Sequence, residues 1–116
     1  MSRILVVLCS ALALLQAQDR RITPVDGGRR LALVMGNRAY VRNPLTNPLN
    51  DAQDMQRALA ADGFQVTVAT DTTLKSMQKS IREFGASIRA GDTALFYYSG
   101  HGLQVRGVNY LLPIDF

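Results

Sequence analysis

Short apolar runs alternate along this chain with longer segments in which apolar residues recur at helical spacing, and this alternation constrains the fold most. The runs at residues 30–36, 64–69 and 92–98 are rich in aliphatic, β-branched and aromatic residues, as strands are. Residues 50–61 and 74–88 instead place apolar side chains three and four positions apart, as helices do. The order strand, helix, strand, helix, strand predicts an α/β fold with a mostly parallel sheet and right-handed connections.

Capping residues set the predicted helix boundaries. Asn50, with Gln53 three residues later, predicts a capping box at the start of the first helix, and Gly63 follows its end. The second helix is expected to begin after a cap within residues 71–73 and to end at Gly91.

Two loops are expected at the carboxyl edge of the sheet, where open α/β sheets place their sites. The first covers residues 36–50, and the second is the turn Ser99-Gly100-His101-Gly102 after the third strand. A hairpin is expected next, with arms at residues 103–105 and 108–112 joined by Arg106-Gly107. Three parallel strands and a hairpin leave one sheet edge uncovered, which favours aggregation or pairing with a complementary segment.

The amino terminus predicts an exported protein. Arg3 precedes residues 4–15, which carry no charge, and polarity returns at residues 16–19. This order is typical of a signal peptide, predicted at residues 1–17, whose removal accompanies export to the periplasm or secretion. The apolar run is shorter than the ~20 residues of a spanning helix, so no stable membrane span is expected. An uncleaved anchor and a wrongly assigned start codon are the alternatives.

Composition excludes several classes of protein. A disulfide scaffold or a zinc finger needs more than the one Cys and one His of this chain. The net charge of +4 comes from basic residues scattered along the sequence, whereas nucleic-acid binding needs a clustered basic face. No nucleic-acid partner is therefore expected. Residues 18–29 are predicted to form a polar tether before one domain at residues 30–116.

Motifs for phosphate, serine or metal chemistry are absent from the sequence. There is no Gly-rich phosphate loop and no G-x-S-x-G around Ser99. A metal at His101 would need ligands from Asp51, Asp54 or Asp115, and their spacing matches no metal motif. No metal and no cofactor are predicted.

His101 remains as the residue that the chemistry favours. On a turn after a buried strand it is expected to be exposed at the functional edge, where a histidine can act as general base. Gly102 adds a backbone N–H that can approach a substrate oxygen without a side chain in the way. The alternative is a tight turn that holds a structural histidine.

Four segments, in order along residues 30–116, carry a resemblance to a known family. They are residues 30–37 with Tyr40, residues 45–52, residues 97–102 and residues 109–116. They resemble the first strand, the L-x-N-x-x-N-D-A entry to the first helix, the catalytic-histidine segment and the hairpin arm with P-x-D of the caspases and metacaspases. These are cysteine endopeptidases, and the nearest branch is the bacterial metacaspase-like proteins.

The resemblance implies a caspase-like three-layer sandwich and a role for four residues. His101 would be the general base of peptide-bond hydrolysis, and the Gly102 N–H would supply half of the oxyanion hole. Asp51 and Ser99 would line the primary substrate-binding pocket, where an anionic Asp51 favours Arg or Lys before the scissile bond. Asp51 has a second reading as a first-turn carboxylate that stabilises its helix.

Two departures from the family pattern qualify this implication. Residues 103–109 contain no Asp or Glu, so the calcium-binding stretch of many metacaspases is not expected. The family's nucleophilic cysteine lies on a strand beyond the position of Phe116, and Cys9 falls within the predicted signal peptide. The expectation is therefore the N-terminal part of a catalytic domain, truncated before its nucleophile and inactive alone. Its partners would be a peptide or protein substrate and a complementary segment that carries the Cys; the alternative is an inactive pseudoenzyme or protein-interaction module.

Overall fold

The computed structural model of this protein describes residues 2–9 and 28–116. The described strands are β1 (Ser2–Cys9), β2 (Arg30–Gly36), β3 (Gln65–Thr70), β4 (Thr93–Val105) and β5 (Val108–Leu111), and the described helices are α1 (Pro48–Ala61) and α2 (Leu74–Ser87). Met1 and residues 10–27 lie outside this description.

The strands form one mixed sheet in the order β1-β4-β2-β3, with β5 paired to residues 102–105 of β4. The central strands β4, β2 and β3 are parallel, whereas β1 and β5 run antiparallel to β4. In the ladders Gly36 lies opposite both Ser99 and Thr70, so the carboxyl ends of β2 and β3 lie level with Ser99 of β4. The predicted α/β fold with a mostly parallel sheet is confirmed.

The two helices cover opposite faces of the sheet. Alternate residues of β2 separate into two clusters, because side chains of a strand point to opposite faces. One cluster joins Ala32, Val34, Leu95 and Tyr97 to Ala52 and Leu59 of α1. The other joins Leu33, Met35 and Tyr98 to Met77 of α2, with Phe84 packed against it. Helix, sheet and helix make the three layers that the sequence predicted.

Helix α1 begins earlier than the sequence predicted. Its N-cap is Asn47, without a capping hydrogen bond from the side chain, and Pro48 occupies the first turn. Proline suits that position because its ring presets the helical φ and its missing N–H is not needed there. The predicted capping box at Asn50 and Gln53 is therefore wrong.

Helix α2 has the predicted start and an earlier end. The Thr73 hydroxyl accepts a hydrogen bond from the Ser76 N–H at 3.2 Å, as an N-cap does. The helix ends at Ser87 rather than at Gly91, since Ile88 is already extended at φ −75° and ψ 132°. A turn closed by Asp92, whose carboxylate accepts from the Arg89 N–H at 2.8 Å, replaces the last predicted helical turn.

Strand β4 continues through the segment that the sequence predicted as a turn. Residues 99–102 are extended and belong to β4, so the prediction of a turn at Ser99-Gly100-His101-Gly102 is wrong. The strand reverses later, at Arg106-Gly107, where φ is 50° and 78°. Two successive positive φ values are the geometry of a tight hairpin turn, and the predicted hairpin is confirmed.

The amino-terminal predictions fall mainly on residues outside the description. Of the predicted signal peptide at residues 1–17, only Ser2–Cys9 is described, as the strand β1 along β4. Of the predicted tether at residues 18–29, only Gly28 and Arg29 are described. The signal peptide and the tether stay predictions. Within residues 2–9 and 28–116 there is no helix long and apolar enough to cross a membrane.

One ion pair lies at the end of the sheet where β2 and β4 begin. The Asp92 side chain, 1% exposed, accepts hydrogen bonds from the Arg29 Nη2 at 2.6 Å and from the Arg29 backbone N–H at 3.0 Å. These bonds, together with the Arg89 N–H, hold the pKa of Asp92 well below its ordinary value of 3.8. The ionised carboxylate is thus favoured in the folded chain.

The pH dependence of stability follows from this shift. Because the pKa of Asp92 is lower in the folded chain, its contribution is complete above about pH 3.8 and is lost as the pH falls towards the folded value. Asp92→Asn should lower Tm by several degrees at pH 7, and the difference from the unsubstituted protein should narrow below pH ~4. Circular-dichroism melts between pH 7 and pH 2 measure this, with the exposed Asp54→Asn as control. A difference that is constant with pH would contradict the assignment.

Candidate active site

The loop after β2 packs directly against β4 near its carboxyl end. The Asn37 N–H donates to the Ser99 carbonyl at 2.9 Å, which extends the β2–β4 pairing by one bond. The fully buried Asn37 side chain accepts from the Thr72 N–H at 2.8 Å and donates to the Leu112 carbonyl at 3.3 Å. One amide therefore ties the ends of β2, β3 and the hairpin to one another.

His101 lies buried in β4, with its backbone bonded on both sides. Its N–H donates to the Tyr40 hydroxyl at 2.8 Å. Its carbonyl accepts from the Tyr98 hydroxyl at 2.7 Å and from the Leu112 N–H at 3.0 Å. The residue is only 6% exposed, so the prediction of an exposed histidine is wrong. The reason is that the β2–α1 loop folds over it with Tyr40 and Asn43.

The contacts of the imidazole assign its two nitrogens. Nε2 lies 2.6 Å from the backbone carbonyl oxygen of Asn43. A carbonyl oxygen only accepts hydrogen bonds, so in the neutral imidazole Nε2 carries the hydrogen and Nδ1 carries the lone pair. Nδ1 is buried and has no hydrogen-bond partner among the described residues. In the neutral imidazole, the lone pair of Nδ1 therefore receives no hydrogen bond from the described residues.

Asn43 adopts a conformation that few residues tolerate. Its φ is 53°, in the left-handed region where Gly, Asn and Asp are the usual occupants. Pro44 follows and disfavours the right-handed helical conformation for Asn43. Asn43 is thus one of the few residue types that tolerate the backbone conformation in which its carbonyl meets His101.

Asp71, at the end of β3, anchors the same loop. Its Oδ1 accepts hydrogen bonds from the backbone N–H groups of Arg38 and Ala39, each at 2.9 Å. The Asp71 N–H in turn donates to the Gly36 carbonyl at 2.9 Å. The loop that covers His101 is therefore fixed to the sheet edge from two sides.

Asp51 and Ser99 meet beside the histidine. Asp51 lies in the first turn of α1, and its Oδ2 accepts a hydrogen bond from the Ser99 hydroxyl at 3.3 Å. Ser99 is only 1% exposed and is two residues from His101 on β4. Gly102 follows on the same strand, buried and opposite Leu111 of β5. The four residues named from the sequence therefore lie at one end of the sheet.

Two buried tyrosine hydroxyls lie against the His101 backbone. The Tyr40 and Tyr98 hydroxyls are 2.9 Å apart, and Tyr40 also donates to the Leu112 carbonyl at 2.9 Å. Burial raises the pKa of Tyr98, and the neighbouring Tyr40 hydroxyl raises it further. Tyr98 therefore keeps its proton as a hydrogen-bond donor.

The aspartates weighed as metal ligands have other partners. Asp115 Oδ1 accepts from the Leu74 N–H at 2.9 Å at the start of α2, and Asp54 pairs with Arg57. Among residues 2–9 and 28–116, no group of three or more His, Cys, Asp or Glu side chains is placed to hold a metal ion.

Reasoning from the sequence missed three residues of this site: Asn43, Asp71 and Tyr98. The sequence predicts Asn43 within the loop at residues 36–50 and Asp71 within the cap at residues 71–73. Tyr98 belongs to the predicted strand at residues 92–98 and to the segment that resembles the catalytic-histidine segment, but no role is predicted for its hydroxyl. The available signal was a tyrosine in a strand buried on both faces, because a buried phenol needs a hydrogen-bond partner.

Comparison with known proteins identifies the family. The model of the caspase domain matches residues 29–116. The human mucosa-associated lymphoid tissue lymphoma translocation protein 1 is 32% identical over 87 residues, covering 74% of this chain and 11% of that protein. Metacaspase-5 of Trypanosoma cruzi is 31% identical over 119 residues, covering 84% and 27%, and metacaspase-1 of Candida albicans is 30% identical over 89 residues, covering 66% and 20%.

The chain spans between about a tenth and about a quarter of the length of these relatives. The bacterial metacaspase-like branch stays a prediction, since these relatives are human, trypanosomal and fungal. The match over residues 29–116, together with a histidine held near the carboxyl end of β4, supports one conclusion. This chain belongs to the family of caspase-like proteases.

Proposed function

We propose that this chain supplies the histidine-bearing part of a cysteine endopeptidase that cleaves peptide or protein substrates after Arg or Lys. The observation that carries the proposal is the imidazole of His101. Its Nε2 is held by the Asn43 carbonyl at 2.6 Å, and its Nδ1 has no hydrogen-bond partner among the described residues. This is the arrangement that a general base needs, since one nitrogen is oriented and the other accepts the proton.

The proposed chemistry is acyl transfer through a thioester. The thiol proton moves to Nδ1 of His101, and the thiolate attacks the carbonyl carbon of the scissile peptide bond. Nδ1–H then protonates the leaving amine as the C–N bond breaks. Water hydrolyses the thioester, releases the acid product and restores the thiol. Gly102 N–H is proposed as one donor to the oxyanion of the tetrahedral intermediate.

The nucleophile is proposed to come from a segment outside residues 30–116. The chain has one cysteine, Cys9, in β1. In the β1–β4 ladder Arg3 lies opposite His101 and Cys9 lies opposite Leu95. These ladder positions are separated by six residues along the strand, which corresponds to about 20 Å. Cys9 is therefore too far along the sheet to act with His101.

Asp51 is proposed to select basic substrates. Its carboxylate accepts from Ser99, two residues from the base, so a bound side chain at this position lies close to the reacting bond. An Arg or Lys side chain would gain a charge-assisted hydrogen bond there, whereas an Asp side chain would be repelled.

The test compares the product of the complete reading frame with residues 1–116 alone. The complete product should hydrolyse fluorogenic peptides with Arg or Lys before the reporter, and His101→Ala should lower its kcat/KM about 10²- to 10⁴-fold. Residues 1–116 alone should show no hydrolysis, because a Cys–His pair acts as a unit. Hydrolysis by residues 1–116 that disappears in His101→Ala would contradict the proposed external nucleophile.

A second function is an inactive pseudoenzyme or interaction module. The observation that favours it is the absence of a cysteine from residues 10–116. The coding DNA after codon 116 discriminates between the two functions. An in-frame strand that carries a cysteine supports the peptidase, and a stop codon with no such strand supports the interaction module. Export through the predicted signal peptide is proposed for either function.

A further inference from the structure

We propose that Tyr40 is a positioning residue, which fixes both the backbone of His101 and the nitrogen of its imidazole that accepts the proton. This inference rests on the proposed role of His101 as general base. The sequence places Tyr40 in the loop at residues 36–50 and does not by itself indicate this role. Tyr40 acts through His101, whose backbone and ring it contacts.

The hydroxyl of Tyr40 holds the His101 backbone. It accepts from the His101 N–H at 2.8 Å and donates to the Leu112 carbonyl at 2.9 Å. Both partners are buried, and an unpaired buried N–H is costly. The hydroxyl thus replaces a strand-to-strand hydrogen bond at the residue that carries the proposed base.

The ring of Tyr40 packs on the imidazole. The two ring centroids are 4.4 Å apart and the ring planes are tilted by 56°. With Nε2 bonded to the Asn43 carbonyl, this contact restricts rotation of the imidazole about its Cβ–Cγ bond. A half-turn would exchange Nδ1 with Cδ2 and Nε2 with Cε1, and would break the bond from Nε2 to the Asn43 carbonyl.

Tyr40 and Asn43 belong to one loop and contact His101 from the same segment. The Arg38 carbonyl accepts from the N–H groups of Tyr40 and Leu45, each at 2.9 Å, so the loop is closed on itself. The conformation of this loop therefore fixes both the contact of the Tyr40 ring and the contact of the Asn43 carbonyl with His101. Loss of the Tyr40 ring should release the imidazole from a single tautomer.

Nuclear magnetic resonance tests this directly, because the chain has one histidine and its ring signals need no assignment by elimination. Long-range ¹H–¹⁵N correlations of the ¹⁵N-labelled chain in mildly alkaline buffer report the tautomer. The unsubstituted protein should show a pyrrole-type Nε2 and a pyridine-type Nδ1. In Tyr40→Leu the two ¹⁵N shifts should move towards each other, as two tautomers average. Unchanged ring shifts in a folded Tyr40→Leu protein would overturn the proposal.

Two further variants separate positioning from general stability. Tyr40→Phe keeps the ring, so the imidazole shifts should match those of the unsubstituted protein while the His101 amide exchanges about tenfold faster. Tyr98→Phe removes the other hydroxyl of the network and should leave the ring shifts unchanged. If Tyr40→Leu does not fold, as judged by the dispersion of the amide signals of α2, Tyr40→Phe decides. Unchanged exchange of the His101 amide in Tyr40→Phe would overturn the proposal.

The readout does not depend on peptidase activity. If the product of the complete reading frame hydrolyses no peptide, the proposed function is contradicted. The tautomer measurement on His101 is not affected by that result. The converse result is that the complete product hydrolyses peptides while the ¹⁵N shifts of the unsubstituted chain show two averaging tautomers. This result would keep the proposed function and overturn the role of Tyr40.

Discussion

Gly100→Ala is expected to lower the free energy of unfolding by about 3 kcal/mol and to disrupt the site around His101. A Cβ at position 100 would lie 2.7 Å from the Tyr40 hydroxyl oxygen and 2.8 Å from Cζ of Tyr98. Both distances are shorter than any ordinary van der Waals contact. Either the tyrosines move or the strand does.

Either movement costs free energy at this position. Tyr98 is fully buried and Tyr40 is 6% exposed, so each ring lacks free space beside it. Their hydroxyls hold the N–H and the carbonyl of His101, and displacement leaves these groups unpaired. The steric cost and the hydrogen-bond cost therefore add, in contrast to an ordinary overpacked core position.

The measurements are a denaturant titration and a thermal melt, with Gly85→Ala as the matched control. Gly85 lies in α2, and a Cβ there would meet nothing within 4 Å. The control should leave the free energy of unfolding unchanged or raise it by up to about 1 kcal/mol, because alanine favours helices. Gly100→Ala should lower Tm by at least ~10 °C. Equal stability of the two variants would show that the tyrosines at Gly100 are not fixed as described.

Asp51→Asn is expected to lower the affinity for peptides that end in Arg by about tenfold or more. The proposed bond between the carboxylate and a guanidinium is charge-assisted, and hydrogen bonds to charged groups are worth about 1.5–3 kcal/mol. The amide of asparagine keeps the size of the side chain and one acceptor oxygen. It removes the charge, so the preference for Arg over Asp peptides should fall with it.

Asp54→Asn is the matched control for this experiment. Asp54 lies one turn along α1, is exposed, and pairs with Arg57. Isothermal titration of the 116-residue chain with Arg-ending and Asp-ending peptides measures both variants. Asp54→Asn should bind as the unsubstituted chain does. If Asp51→Asn retains its preference for Arg and only loses stability, Asp51 acts on the first turn of α1 alone.

The parts of the fold that follow periodicity could be predicted from the sequence. The strands β2 and β3, the cap at Thr73 and the turn at Arg106-Gly107 each follow from local residue preferences. The extension of β4 through Ser99 and His101 could not be predicted in the same way. Two glycines in four residues favour a turn locally. In the structure Gly100 lies in a strand, where the hydroxyls of Tyr40 from the β2–α1 loop and of Tyr98 from the same strand occupy the space of a Cβ.

The residues of the site also form two groups, those that could be predicted from the sequence and those that could not. His101, Gly102, Asp51 and Ser99 were found because side-chain chemistry and family resemblance point to them. Asn43 was not found, because its contribution is a backbone carbonyl and any residue has one. Asp71 was not found, because its carboxylate anchors a loop whose path is set by tertiary contacts.

The contact between the Asn43 carbonyl and His101 has a genetic consequence. An alanine scan removes side chains, and at position 43 it would leave the carbonyl in place. The cost of such a substitution would come only from the positive φ of 53°, about 1–2 kcal/mol for most residues and almost nothing for glycine. Variation at this position should therefore reflect tolerance of a left-handed backbone, and a residue essential to the orientation of the base would pass a mutational screen as dispensable.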